Sequence, residues 1–266
     1  MLLTISRFSN EVHTEHMPRQ RFERPQKGNP HQLPVKEHVW PLTSIARFAD
    51  SKGDVWLYDK VRNKARKGKP DDTIFCAMRV WDRRAEFGYM KGIEDAFQKL
   101  ASEIIEDTVT TIDTKQKETV DAFFALWKLR ADYKTADENA VIFKSVTGES
   151  LTKDQEEVLE KNHVYFLRQD STMPAHMAHG MEIQFRIDAY VRDLSNVQWG
   201  IIHAQEGHLV VPDHPAFTII PLKPTLCLCS GGQSGTITKE KLGDINRIFR
   251  AASREYFFAQ DLAQCP

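Results

Sequence analysis

Apolar positions fall at helical spacing through the middle of the chain and gather into short aliphatic runs toward its end. Ile93, Phe97, Leu100 and Ile104 mark one amphipathic face, and Val120, Phe123, Phe124 and Trp127 mark a second. The polar link from Thr108 to Lys117 is short enough to predict an antiparallel helix pair. Thr152 with Gln155 three residues on is a capping box that predicts a helix over 153–161. A fourth helix, expected to begin after Gly180, would bury Ile183, Ile187, Tyr190, Val191 and Leu194.

The texture then turns to strand. Residues 197–204, 208–211, 217–222 and 226–229 are β-branched or aliphatic runs broken by Gly207, Asp213-His214-Pro215 and Lys223-Pro224, which predicts an antiparallel meander. The loop Ser230-Gly231-Gly232-Gln233-Ser234-Gly235 follows. Thr238 then opens a closing helix whose expected face is Leu242, Ile245, Phe249, Ala252 and Tyr256. Earlier, Val55–Tyr58 reads as a strand that returns through the basic run 60–69 and is expected to complete the sheet built from the C-terminal strands. The expected fold class is therefore α+β: a helical layer over about 87–194, packed on an antiparallel sheet, with a closing C-terminal helix. Residues 1–36, with Pro18, Pro25, Pro30 and Pro34 among charged and amide residues, read as an extended arm partly ordered against a single domain over 37–266.

Composition narrows the classes. At 266 residues the chain is long enough to bury an adequate core without a disulfide or metal staple. With 36 basic against 37 acidic residues, it does not read as a protein whose whole surface grips nucleic acid. There is no apolar run of membrane-spanning length and no signal-peptide core, so a cytoplasmic, non-membrane setting is expected. Cys76, Cys227, Cys229 and Cys265 lack the paired spacings of a zinc site and read as buried free thiols.

Several short motifs resemble those of domain-of-unknown-function family 4238. They are His38-Val39-Trp40-Pro41 continued by Ile45-Ala46-Arg47-Phe48-Ala49-Asp50 and Val55-Trp56-Leu57-Tyr58-Asp59-Lys60, and the helix segment Phe123–Arg130. Further along they are Trp199–Ile202, Val210-Val211-Pro212-Asp213-His214-Pro215, Ile219-Ile220-Pro221-Leu222, and Ile245-Asn246 with Ala251-Ala252, Arg254-Glu255 and Tyr256-Phe257-Phe258-Ala259. The likeness runs from His38 to about Asp261. The chain departs from the family pattern in Val39, Trp40, Ser44 and Ile45, and in carrying His214 where the corner usually has Asn. The resemblance implies no reaction; its occurrence in bacterial genomes and mobile elements implies a setting such as defence or toxicity.

His38, Arg130, Asp213 and Asn246 are polar residues set among apolar neighbours. A buried Arg and Asp need partners, so Arg130 is expected to meet Asp213 across the helix–sheet boundary. Two readings stay open. In one, the protein is a hydrolase of a phosphate-containing substrate, plausibly nucleic acid: His38 and Asp213 form an acid–base pair, Arg130 clamps an anion and Asn246 orients it. In the other, these residues are structural clasps in a non-enzymatic binding or scaffolding module. The unbroken positive run carrying Lys60, Arg62, Lys64, Arg66, Lys67 and Lys69 is the candidate nucleic-acid contact, set against its reading as a solvated face.

Other constellations are weaker. His176 and His179, with His203, His208 or His214 as a third ligand, have metal-pair spacing but no carboxylate at a motif distance, and His13 with His16 is weaker still. No metal site is assigned and no cofactor is called for, with a divalent ion left open. No nucleotide loop or Gly-x-Ser-x-Gly elbow is present. A restriction-nuclease pattern after Pro212-Asp213 fails because Pro221-Leu222-Lys223 lacks the acidic ligand.

Overall fold

The computed structural model describes residues 22–136, 139–215 and 217–266; most of the arm expected over 1–36, and with it His13 and His16, lies outside them. The helices are α1 (Leu42–Ala46), α2 (Arg83–Phe87), α3 (Tyr89–Ile105), α4 (Thr114–Tyr133), α5 (Lys153–Lys161), α6 (Ala175–Asp193) and α7 (Lys239–Ala252). The strands are β1 (Lys36–His38), β2 (Val55–Asp59), β3 (Lys64–Gly68), β4 (Cys76–Met78), β5 (Val141–Ile142), β6 (Thr172–Met173), β7 (Trp199–Ala204), β8 (Val211–Pro212), β9 (Ile219–Lys223), β10 (Leu226–Ser230), β11 (Gly235–Ile237) and β12 (Tyr256–Ala259). The class is α+β, as expected. Among the described residues, no helix is long and apolar enough to cross a membrane.

α4 is the central helix. A capping box between Asp113 and Gln116 starts it, and its apolar side chains face neighbours in two directions. Phe123 stacks on Phe97 of α3 with ring centroids 3.6 Å apart, and Trp127 lies 4.2 Å from Trp40, which plugs the His38-Val39-Trp40-Pro41 segment into the helix. α5 and its capping box stand where the sequence predicts them. α6 starts earlier than expected, just after Pro174, and Gly180 is inside it. A Cβ at Gly180 would come within 2.1 Å of Asp82 Oδ1, so glycine is what lets α2 and α6 approach.

The sheet differs from the expectation. Among the described residues there are two four-stranded sheets, β11-β7-β10-β9 and β3-β2-β12-β8, plus two short strand pairs. β7, β10 and β9 form an antiparallel meander and β11 joins β7 in parallel, but the 208–211 run expected between them is not part of it: only Val211 enters a strand, β8, which pairs with β12 in the other sheet. Val55–Asp59 does not complete that sheet; it pairs with β12 in the other one. Tyr256, placed by sequence on the closing helix, begins β12 instead. α7 stops at Ala252, where the Ser253 hydroxyl and N–H both donate to the Phe249 carbonyl. Tyr256-Phe257-Phe258-Ala259 are all buried, and an unbroken apolar run of this length suits a central strand better than one helix stripe.

The described part of the arm is stitched to α5 by polar bonds. Gln26 N–H donates to Glu157 at 2.6 Å, Lys153 and Arg168 both reach Glu23 at 2.5 Å, and His31 lies 2.7 Å from Asp154.

Candidate active site

Arg130 is fully buried, but its partner is not Asp213. Its guanidinium pairs with Glu94, lies 3.1 Å from Glu86, donates to the His38 carbonyl at 3.2 Å and sits over the Trp81 ring. Two carboxylates therefore neutralise it, which leaves no surplus charge for the anion clamp expected of it. His38 is half-buried with Nε2 enclosed and unbonded. Burial holds its pKa below the usual histidine value, against the pull of a bond to the Pro70 backbone and the charges of Glu86 and Glu94. Beside it Glu37, which the sequence reading passed over, is fully buried and accepts the Val80 and Trp81 N–H groups at 2.7 and 3.2 Å.

Asp213 is a backbone clasp. Its carboxylate accepts the N–H groups of Arg254, Glu255 and Tyr256 at 2.9, 2.5 and 3.1 Å, tying the corner after β8 to the entry of β12. Asn246 does the same between α7 and the preceding loop: it accepts from Val210 N–H and donates to the His208 carbonyl, each at 2.8 Å. The four residues proposed together from sequence thus enter separate bonding sets, with only Arg130 touching His38. The helical period explains the error. Arg130 lies two positions from Lys128 and Asp132, so it projects from the opposite side of α4.

Lys128 and Asp132 are the α4 residues that reach His214 at the corner after β8. Four side chains from three parts of the fold converge there. His214 Nε2 lies 2.7 Å from Asp132 Oδ1, and Lys128 Nζ lies 2.6 Å from Asp132 Oδ2. Arg254 Nη2 lies 3.3 Å from Asp132 Oδ1. Lys128 and Arg254 also approach the same ring nitrogen, at 3.1 and 2.9 Å. A proton on Nε2 serves the 2.7 Å carboxylate contact, and Lys128 and Arg254 are then held beside the ring by Asp132 rather than by bonds to Nε2. Burial alone would raise the Asp132 carboxyl, but the His214 bond and Lys128 outweigh it and hold the pKa well below the usual range. With a neutral imidazole, two cations face one carboxylate. Lys134 pairs separately with Glu255 at 2.7 Å, so Glu255 does not cancel the surplus.

Asp213 builds this site indirectly, because its three backbone bonds hold Arg254 beside His214, its own chain neighbour. Sequence reading weighed His214 only as a third metal ligand. The findable signal was the i, i+4 pair Lys128 and Asp132 on one face of α4.

The basic hairpin is largely exposed, as expected, but locally compensated. Arg62 pairs with Asp59 at 2.9 Å, Arg66 with Asp72 at 2.6 Å, Lys67 with Asp50 at 2.7 Å and Lys69 with Asp54 at 2.8 Å. Lys60 donates to the Arg250 and Ser253 carbonyls at the end of α7. Lys64 is in no ion pair among the described residues.

His176 and His179 do not act as a pair. His176 is buried 3.1 Å from Glu160 and 3.2 Å from Arg79, while His179 Nδ1 contacts the Val80 carbonyl. Arg79 adopts a left-handed backbone, φ 52°, and bonds Glu160 bidentately at 3.1 and 2.5 Å. Among the described residues, no group of three or more His, Cys, Asp or Glu could hold a metal ion. All four cysteines are free.

Comparison with models of protein families, with curated proteins and with solved structures finds no match for this chain.

Proposed function

We propose that the protein hydrolyses a phosphate-containing substrate at the His214, Asp132, Lys128 and Arg254 cluster. One observation carries this reading: two cations and a His–Asp pair meet around a single carboxylate, so the cluster lacks one negative charge. A phosphoryl group would supply it. The segments that carry the resemblance to family 4238 include Lys128 and Arg254, while His214 stands where that family's corner usually has Asn.

The roles follow from the bonding. Asp132 orients the imidazole through Nε2, which leaves Nδ1 to exchange a proton with water or substrate. Nδ1 takes a proton from the attacking water as its oxygen bonds to phosphorus; the bond to the leaving oxygen breaks, and that oxygen receives the proton. Lys128 and Arg254 balance the charge that builds on the phosphoryl oxygens. Arg254, 49% exposed at its side chain, is the group an anion from solvent meets first.

The test is release of p-nitrophenol from mono- and bis-p-nitrophenyl phosphate, with and without divalent cations. Wild-type protein is expected to turn over at least one of them, and His214→Gln and Asp132→Asn to lose about 100-fold or more, the usual contribution of acid–base catalysis. Equal rates in wild type and both variants would reject the assignment.

A further inference from the structure

Residues 139–172, the excursion between α4 and α6, are attached differently from the rest of the molecule. Tyr133 and Met173 are buried at its two ends, but among the described residues between them no apolar side chain is buried. Val141, Ile142, Phe143 and Val146 are exposed instead. The strand contacts of the excursion stay within it or at its exit: β5 pairs with β6, and the Gly148 N–H donates to the Arg168 carbonyl at 3.2 Å.

The inward face of α5 shows what stands in for apolar burial. Helix positions three and four apart share a face, and Glu160 is three from Glu157 and four from Glu156; these are the buried residues of α5, at 3%, 1% and 7% exposure. Glu156 is bonded by Arg168 at 2.6 and 2.7 Å, inside the excursion. Glu157 accepts the Gln26 N–H and side-chain amide at 2.6 and 3.1 Å, on the arm. Glu160 is the one that reaches the body, where Arg79 donates to both its oxygens and His176 lies 3.1 Å away. Arg79 also gathers the arm, since its Nε donates to the Glu23 carbonyl at 2.9 Å and its Nη1 to the Pro34 carbonyl at 3.4 Å. One side chain on a left-handed backbone thus joins excursion, arm and body. Half-buried Tyr165, with the Arg84 guanidinium 5.0 Å from its ring centroid, adds a contact to α2.

We infer that residues 139–172 are a lid that opens as a unit while the core stays folded, with the Arg79–Glu160 pair as its latch. Opening exposes little apolar surface, and both members of the pair regain water, so closure is held by a small net free energy. The core elements are instead fastened by apolar burial that is lost only on global unfolding. With nine residues, α5 is too short to persist as an isolated helix, so undocking also melts it. Opening bares Arg79 and His176, which the closed lid keeps at 3% and 4% exposure. None of this depends on the phosphoester reading.

The experiment is native-state hydrogen exchange of the full chain at rising, sub-denaturing urea, comparing α5 amides with those of α4 in wild type, Arg79→Gln and Glu160→Gln. In wild type, α5 is expected to exchange faster than α4 and with a weaker urea dependence, the sign of a local opening that exposes little surface. Each variant leaves a charge of the latch buried without its partner, so α5 exchange should rise about 100-fold or more while α4 keeps its wild-type protection. Equal exchange of α5 and α4 at every urea concentration in wild type overturns the lid. Variants that leave α5 as protected as in wild type overturn the latch. Variants that speed α5 and α4 alike, or that fail to fold, overturn it too, since the pair would then belong to the core.

Discussion

Replacing Arg130 with Met tests the polar core most sharply. The change removes the ion pairs to Glu94 and Glu86, the bond to the His38 carbonyl and the cation over Trp81. Breaking a buried pair by removing one partner costs about 3–5 kcal/mol. Glu86 and Glu94 keep 22% and 17% side-chain exposure, so each recovers part of its hydration, which sets the ion-pair loss near the lower end. The stranded His38 carbonyl adds about 1 kcal/mol, and the better burial of Met offsets a similar amount. The expected loss is about 3 kcal/mol, or about 6–12 °C in Tm for a chain of this size. Glu94→Gln added to Arg130→Met should recover about 1 kcal/mol or more by removing the uncompensated charge. Paired urea and thermal denaturation read both values. A loss below about 1 kcal/mol, or no recovery in the double variant, would refute the reasoning.

Two further outcomes follow. Burial first, then the charge of Glu160, raises the Asp82 carboxyl to about 7. Because its folded pKa is above the unfolded value, its stabilising contribution is full below about pH 4 and is lost as pH rises through 7. Asp82→Asn should therefore gain on wild type by about 1 kcal/mol or more between pH 5 and 8 in denaturation midpoints, and a constant difference would contradict this. Asp213→Asn replaces a carboxylate that accepts three N–H groups by an amide with a single acceptor oxygen, so chemical denaturation should show a loss of about 1–3 kcal/mol.

Much of the fold was legible where a periodic pattern ran long. The faces of α3 and α4 and both ends of α5 follow from apolar spacing and a capping box, which are local signals. β12 was not, because Tyr256-Phe257-Phe258-Ala259 follows α7 closely and Tyr256 fits its period; only the pairing with Asp59 and its neighbours, far away in sequence, makes it a strand. The short strands β1, β4, β5 and β6 carry too few residues to show a period. The expected site failed on direction rather than on place. Charges do cross from α4 to the corner after β8, but they come from Lys128 and Asp132, while Arg130 turns inward to Glu86 and Glu94. Asp213, chosen as an acid–base partner, serves backbone N–H groups that sequence alone does not bring near it.

The most direct test of the central claim is isotope-edited NMR of the His214 ring during titration with inorganic phosphate. The His214–Asp132 pair, with Lys128 and Arg254 around it, is predicted to give a saturable shift of the His214 resonances with the His38 resonances unmoved, and the shift is expected to vanish in the Lys128→Gln, Arg254→Gln double variant. Resonances that stay fixed in wild type, or a shift that persists in the double variant, would contradict the assignment of this cluster as a phosphoryl site.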